Sequence, residues 1–117
     1  MALPWKKCYL NIPLNKDGIA EHETFDLEMK NVFSIELSEN EYTLLSDIFY
    51  EMNKKFNIII DIFEEEILEN DNINAAIEFL NEHISKSNKS DLLEAENKLM
   101  SAFLKAKELN MPVYFDF

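Results

Sequence analysis

Between Gly18 and Pro112 the chain contains neither glycine nor proline. These two residues are the main punctuation of turns and the main breakers of helices. A chain that dispenses with them over most of its length is committed to long regular elements rather than to a loop-rich or collagen-like build. At 117 residues it has the size of one domain, able to bury a core without staples. A single cysteine argues against an internal disulfide framework and a cysteine-based zinc site. The apolar share of 47% and the charged share of 29% fit a folded domain rather than a disordered one.

The first third, residues 1–38, reads mostly as strand. Cys8, Leu10, Ile12 and Leu14 fall on one face of an alternating segment, with Lys7, Tyr9 and Asn11 on the other. Pro13 confines that strand to an edge or makes it the strand's end. Asn15-Lys16-Asp17-Gly18 is a turn signal, with Gly18 free to take a positive φ. Phe25, Leu27 and Met29 then alternate with Asp26 and Glu28, and Phe33, Ile35 and Leu37 with Ser34 and Glu36. Lys30-Asn31 between them makes a tight turn, or residues 24–37 form one long bent strand. The expectation is an antiparallel meander with one wet face.

Ser38 marks the change to helix. In Ser38-Glu39-Asn40-Glu41 the hydroxyl can accept from the Glu41 amide while the Glu41 carboxylate reaches back to Ser38, and Leu37 and Tyr42 occupy the positions of a hydrophobic staple. Apolar residues then recur at Tyr42, Leu45, Phe49, Met52, Phe56, Ile59, Phe63 and Ile67, in steps of three and four that trace one helical face. The run from Phe56 to Phe63 has strong β propensity. The stripe keeps its phase through that run, so the spacing predicts helix; a break near Lys55–Asn57 is the alternative. Ile58 and Ile62 lie off the stripe and need cover of their own. Asn70-Asp71-Asn72 punctuates, with Asp71 placed to cap a helix carrying Ile73, Ala76, Ile77, Leu80 and Ile84. After a loop at 85–89, Ser90 is placed to cap a last helix with Leu92, Ala95, Leu99, Met100, Phe103 and Leu104 on its stripe. Asp91 and Glu94 suit its first turn and Lys105 and Lys107 its end. Asn110 can take the left-handed cap position and Pro112 forbids continuation. Val113-Tyr114-Phe115-Asp116-Phe117 alternates as a strand, apolar enough that it should dock on the sheet. The architecture expected is α+β in a single domain. A small antiparallel sheet, the N-terminal meander plus the C-terminal strand at 111–117, packs against three or four helices drawn from 39–110.

No catalytic pattern accompanies this architecture. His22 and His83 lack the Glu-x-x-His or His-Glu-x-x-His spacing of metal helices. Glu64, Glu65 and Glu66 point in different directions on a helix and cannot all hold one ion, so with Glu69 they read as a solvated face. Cys8 falls on an apolar face, where a thiol is buried and inert. No Gly-x-Ser-x-Gly elbow is present, and one glycine cannot make a phosphate-cradling loop. The expectation is a protein that is not an enzyme and carries no cofactor and no metal. Most phenylalanines fall on core faces, while Trp5 and Tyr9 can close the core or mark a contact surface.

Charge is the informative quantity. The net charge is −12, and all 11 basic residues are lysine. Without arginine or a positive surface, direct binding to nucleic acid or to an anionic membrane is disfavoured. No basic, apolar leader opens the chain, and no apolar run approaches the roughly 20 residues of a membrane span. Together with the lone thiol, this makes the cytoplasm the expected compartment. The segments 1–38, 39–71 and 72–117 carry net charges of −2, −8 and −2. On a continuous helix turning about 100° per residue, Asp47, Asp61 and Glu65 lie opposite the apolar stripe, with Glu51, Glu64 and Glu69 beside them. Such a ridge is either a solvated face or an anionic strip that steers a cationic partner protein.

Small, acidic and single-domain, with a carboxylate ridge and the stretches Phe56-Asn57-Ile58-Ile59-Ile60-Asp61-Ile62-Phe63-Glu64-Glu65-Glu66 and Met111-Pro112-Val113-Tyr114-Phe115-Asp116-Phe117, the chain resembles bacterial immunity proteins. These are the cognate inhibitors of contact-dependent growth inhibition and related polymorphic toxin systems. The resemblance is one of type and size; these families share no common fold, and no family residue is carried over. It implies neutralisation of a basic toxin domain, for example a nuclease, with Asp47, Glu51, Asp61, Glu64, Glu65 and Glu69 as the partner-binding residues. Two other readings stand beside it. One is a nucleic-acid mimic that blocks a DNA-binding protein. The other is a structural or regulatory module that forms a homodimer through the terminal strand or the staple region.

Overall fold

The computed structural model describes residues 7–24, 28–62 and 64–117. Trp5, and Phe25 and Leu27 of the expected second strand, lie outside the described residues. The elements follow in the order β1 (Cys8–Pro13), α1 (Lys16–Glu23), β2 (Val32–Leu37), α2 (Glu39–Phe56), β3 (Glu65–Leu68), α3 (Ile73–Lys86), α4 (Ser90–Leu109) and β4 (Val113–Asp116). The four strands form one antiparallel sheet in the order β2-β1-β4-β3. The fold is α+β.

The sheet has two unlike faces. Cys8, Leu10 and Ile12 of β1, Leu37 of β2, Leu68 of β3 and Val113 and Phe115 of β4 point to one side and are fully buried. They meet Leu45, Phe49 and Met52 of α2, Ala76 and Leu80 of α3, and Leu99 and Phe103 of α4 in a single core. The other face carries Tyr9, Asn11, Ser34, Tyr114 and Asp116, and α1 lies across it, stacking the His22 ring on Tyr114. The terminal strand docks as its composition demands, in the sheet interior with β1 on one side and β3 on the other. Pro13 is the last residue of β1, where its missing N–H costs no ladder bond.

Two local signals act as the sequence predicts. Ser38 Oγ accepts from the Glu41 amide (3.1 Å) and Glu41 Oε1 accepts from the Ser38 amide (2.9 Å), closing the capping box at the start of α2. Glu41 also accepts from Lys98 Nζ at 2.8 Å. Burial works to raise the Glu41 pKa, but the Lys98 and Ser38 hydrogen bonds and the lysine charge outweigh it and hold the carboxyl below its ordinary range. At the end of α4, Asn110 takes the left-handed conformation (φ 56°), its N–H returning to the carbonyls of Ala106 and Lys107.

Elsewhere the chain departs from the sequence reading. Asn15 opens a helix rather than a hairpin turn: its side chain accepts from the Gly18 amide (3.1 Å) as the N-cap of α1, and Gly18 does not take a positive φ. β1 and β2 are therefore neighbours joined through a helix, and Glu28 and Met29 are not in a strand. A turn does precede β2, with the Val32 amide donating to the Met29 carbonyl (3.3 Å). The stripe does not carry one helix over 39–69: α2 ends at Phe56, at the break given as the alternative near Lys55–Asn57, and residues 58–62 are not a second helix. Asn57 caps α2 in the left-handed conformation (φ 54°), and Asn53 then grips the departing chain. Its Nδ2 donates to the Ile60 carbonyl (3.1 Å) and its Oδ1 accepts from the Ile60 amide (2.7 Å). Residues 58–62 run as an irregular crossing segment, and the strand follows at Glu65–Leu68. Asp71 does not cap α3, whose N-cap position is Asn72 without a side-chain bond, and Ser90 is the first residue of α4 rather than its cap. On α4, Leu104 is half exposed while Ala102 and Ala106 are buried in its place. No helix among the described residues is long and apolar enough to cross a membrane.

Candidate functional site

The turn at Asn57 carries the chain back alongside α2, and the two together wall a cleft of about 200 Å³. Its α2 side is Tyr42, Ser46, Phe49, Tyr50 and Asn53, and its loop side is Ile59, Ile60 and Asp61. Tyr50 and Ile59 are 61% and 63% exposed, the most open large apolar side chains among the described residues. Asp61 stands over the cleft and accepts from the Tyr42 hydroxyl at 3.2 Å. Burial first, and then the Asp61 carboxylate, push the Tyr42 pKa up, so the phenol keeps its proton and stays a donor. Lys54 Nζ lies 4.1 Å from the Tyr50 ring centre and covers part of that ring.

A second concave site lies on the other face of the sheet, a cleft of about 190 Å³ bordered by His22, Glu65, Glu66, Ile67, Tyr114 and Asp116. His22 stacks on Tyr114 with ring centres 3.8 Å apart and planes 12° from parallel. Its Nε2 donates to Asp116 Oδ2 at 2.7 Å. The same oxygen accepts from Asn11 Nδ2, and Asn11 Oδ1 accepts from the Ser34 hydroxyl, each at 2.5 Å. Burial, and then the carboxylates of Glu23, Glu69 and Asp116, raise the Tyr114 pKa. This chain of polar groups satisfies Asn11, which is only 4% exposed in the middle of the sheet. It ties α1, β2, β1 and β4 together. Asn11 stands between Ser34 and Asp116, accepting from the Ser34 hydroxyl and donating to the Asp116 carboxylate.

The six carboxylates singled out from the sequence do not form one ridge. Asp47 is exposed on α2. Glu51, also on α2, accepts from His83 Nε2 of α3 at 2.6 Å and is engaged in joining those helices. Asp61 is at the first cleft. Glu64 precedes β3, its carbonyl accepting from the Phe117 amide (3.3 Å). Glu65 points from β3 into the second cleft, and Glu69 follows the strand. The ridge needed an unbroken helix, and the chain leaves the helix before Asp61. Among the described residues, no group of three or more histidine, cysteine or acidic side chains is placed to hold a metal ion.

Glu66 and Glu96 carry structural roles that sequence spacing did not single out. Glu66 Oε2 accepts from the Ile59 amide (2.8 Å) and Oε1 from the Ile67 amide (2.9 Å). One carboxylate thereby pins the loop wall of the first cleft and occupies an N–H on the outer edge of β3, where a foreign strand would otherwise pair. Glu66→Ala is expected to cost about 1–2 kcal/mol, measured by urea unfolding, with faster hydrogen exchange at Ile59 and Ile67. Glu96 of α4 is fully buried; its Oε1 accepts from the Ser87 hydroxyl at 2.5 Å, and its Oε2 has no hydrogen-bond partner among the described residues. It fixes the α3–α4 connection to the body of α4.

No protein-family model, no curated protein and no solved structure matches the chain.

Proposed function

We propose that the chain is a non-enzymatic inhibitor that binds a basic partner protein, and that in its concrete form it is an immunity protein neutralising a toxin domain. The observation that carries this reading is the cleft between α2 and the 58–62 segment. It joins Tyr50 and Ile59, the two most exposed large apolar side chains among the described residues, to a carboxylate at the mouth, Asp61, on a molecule of net charge −12. Interface anchors combine these parts: an aromatic and an aliphatic side chain to bury, and a charge to orient the partner. A lysine or arginine of the partner fits there with its stem along Ile59 and its charged end at Asp61. The wider negative field steers a basic partner towards the surface and speeds the encounter.

The test is capture of partners from the native lysate on the full chain, elution by a salt gradient, and titration of the recovered protein against variants. Asp61→Lys and the pair Tyr50→Ala with Ile59→Ala are each expected to weaken binding at least about tenfold, or 1.4 kcal/mol. Glu65→Lys, on the other face of the sheet, is expected to leave affinity unchanged. Co-expression with the captured protein should relieve its toxicity in the wild type and fail in the Asp61 variant. Undiminished affinity in both cleft variants would remove the cleft from the mechanism. Recovery of no basic, salt-sensitive partner would end the inhibitor reading.

A further inference from the structure

We propose that the free edge of β2 pairs with β2 of a second copy, joining two sheets into one across a twofold axis. The proposal is independent of the inhibitor reading and uses a different part of the molecule. β2 ends the strand order, and no described strand lies beyond it. The Leu14 amide donates to the Asn31 carbonyl at 2.8 Å, which fixes the phase of the β1–β2 ladder. With the register Ile12↔Phe33, Leu10↔Ile35 and Cys8↔Leu37, residues 33, 35 and 37 exchange bonds with β1. The N–H and C=O groups of Val32, Ser34 and Glu36 therefore face outward.

Among the described residues, two of these six groups are engaged. The Val32 amide closes the turn onto Met29, and the Glu36 carbonyl accepts from Lys98 Nζ at 3.1 Å. The rest are self-complementary. In an antiparallel pair centred on Ser34, the two Ser34 residues exchange both bonds, and each Glu36 amide reaches the Val32 carbonyl of the other copy. The two engaged groups would have bonded only to each other in this register, so engaging them removes nothing else. Phe33, 40% exposed on the helix side, then lies opposite Ile35 of the other copy and gains apolar cover.

Electrostatics favours a second copy here over other faces. The side chains that meet around this edge are Lys7 with Glu36, Lys98 with Glu41, and Lys105 beside both Glu108 and the Phe33 ring. Each of these three cations has a carboxylate beside it, on a molecule that as a whole carries −12. The opposite edge is closed to such pairing at Ile67 by the Glu66 carboxylate. The terminal strand β4 has β1 and β3 on its two sides and offers no edge.

Sedimentation equilibrium of the full chain from micromolar to submillimolar concentration tests this, with hydrogen exchange read at both ends of the range. The expected result is a reversible dimer, with the Ser34 and Glu36 amides slowed at high concentration. Ser34→Pro removes an N–H that serves no intramolecular ladder bond, and Phe33→Lys places charge on the edge. Each is expected to weaken self-association at least about tenfold; the lysine variant keeps the circular dichroism of the monomer, while the proline variant also loses the hydroxyl that bonds Asn11 and is read only where its monomer folds. If the proline variant fails to fold, the lysine variant decides. A wild type that stays monomeric throughout, or a dimer that persists in every folded variant, would overturn the proposal.

Discussion

Replacing Gly18 by alanine is expected to destabilise the protein by about 2–3 kcal/mol, against the usual sign for that exchange in a helix. Inside a helix, glycine to alanine ordinarily gains about 1 kcal/mol, because alanine loses less backbone entropy and glycine has no side chain to offer. Gly18 lies in the first turns of α1, where that gain would apply. A methyl group there would stand 2.1 Å from the Asn31 carbonyl oxygen and 3.1 Å from both the Asn31 carbonyl carbon and Pro13 Cα. All three are backbone atoms, so no side chain can swing aside. The Asn31 oxygen also accepts from the Leu14 amide at 2.8 Å, and Asn31 is held by Glu21, whose carboxylate accepts from its amide (2.9 Å) and its side chain (2.6 Å). Relief of the clash must therefore move α1 away from the sheet or open the end of the β1–β2 ladder. Ala20→Gly, at an exposed position of the same helix, is the control. It should cost no more than about 1 kcal/mol. Urea unfolding of both variants measures the contrast, and a Gly18→Ala protein as stable as the wild type would refute the close packing of α1 on the strands.

The same glycine shows why local reading succeeds at some positions and fails at others. Asn15 followed by Gly18 carries one local message, a side chain that takes a nearby amide, and a hairpin turn and a helix N-cap both use it. What decides between them is Asn31, a residue distant in sequence. Ser38 is legible because the capping box is complete within four residues. Asn110 and Pro112 are legible for a similar reason, and the aromatic alternation at the C-terminus needed only a sheet to dock on.

β3 was hidden because its residues argue against it. Glu65-Glu66-Ile67-Leu68 holds two glutamates, poor strand formers, in a span of only four residues. It is a strand because β4 supplies partners, with Glu66 opposite Phe115 and Leu68 opposite Val113. The helical stripe kept its phase into this segment by coincidence of spacing, and the local signs of a break were the β propensity of the run from Phe56 and Asn57, a residue suited to the left-handed cap. The helical-ridge reading of the carboxylates rested on that same continuity. Asp61 and Glu65 are placed at different clefts on different faces, so reversing both charges perturbs two surfaces rather than one. Tyr50 and Ile59 could not be paired from sequence, since their nearness depends on the return of the chain at Asn57 and on the grip of Asn53 on Ile60.

The terminal strand exposes the fold to a single change. Phe115→Ala is expected to cost about 3–5 kcal/mol. That is a large part of the roughly 5–15 kcal/mol that stabilises a domain of this kind. Phe115 is fully buried, and its ring meets those of Phe49 on α2 and Phe117 edge-on, at centre distances of 6.1 and 5.7 Å. Truncation leaves a cavity between the sheet and α2 that neighbouring side chains, fixed in a packed core, can fill only in part. The strand's position adds a second consequence. β3 has β4 as its only strand neighbour among the described residues, so whatever loosens β4 loosens both. The amides of Glu66 and Leu68, whose ladder partners are Phe115 and Val113, should lose protection together with those of β4, while β2 amides bonded to β1 keep theirs at low denaturant. Phe115→Leu, which keeps most of the apolar volume, should cost less than half as much, and Leu104→Ala, at a half-exposed site on α4, about 0.5 kcal/mol. Equilibrium unfolding ranks the three variants, and native-state hydrogen exchange locates the loss. A Phe115→Ala protein that unfolds at the wild-type denaturant midpoint would mean that β4 does not sit between β1 and β3.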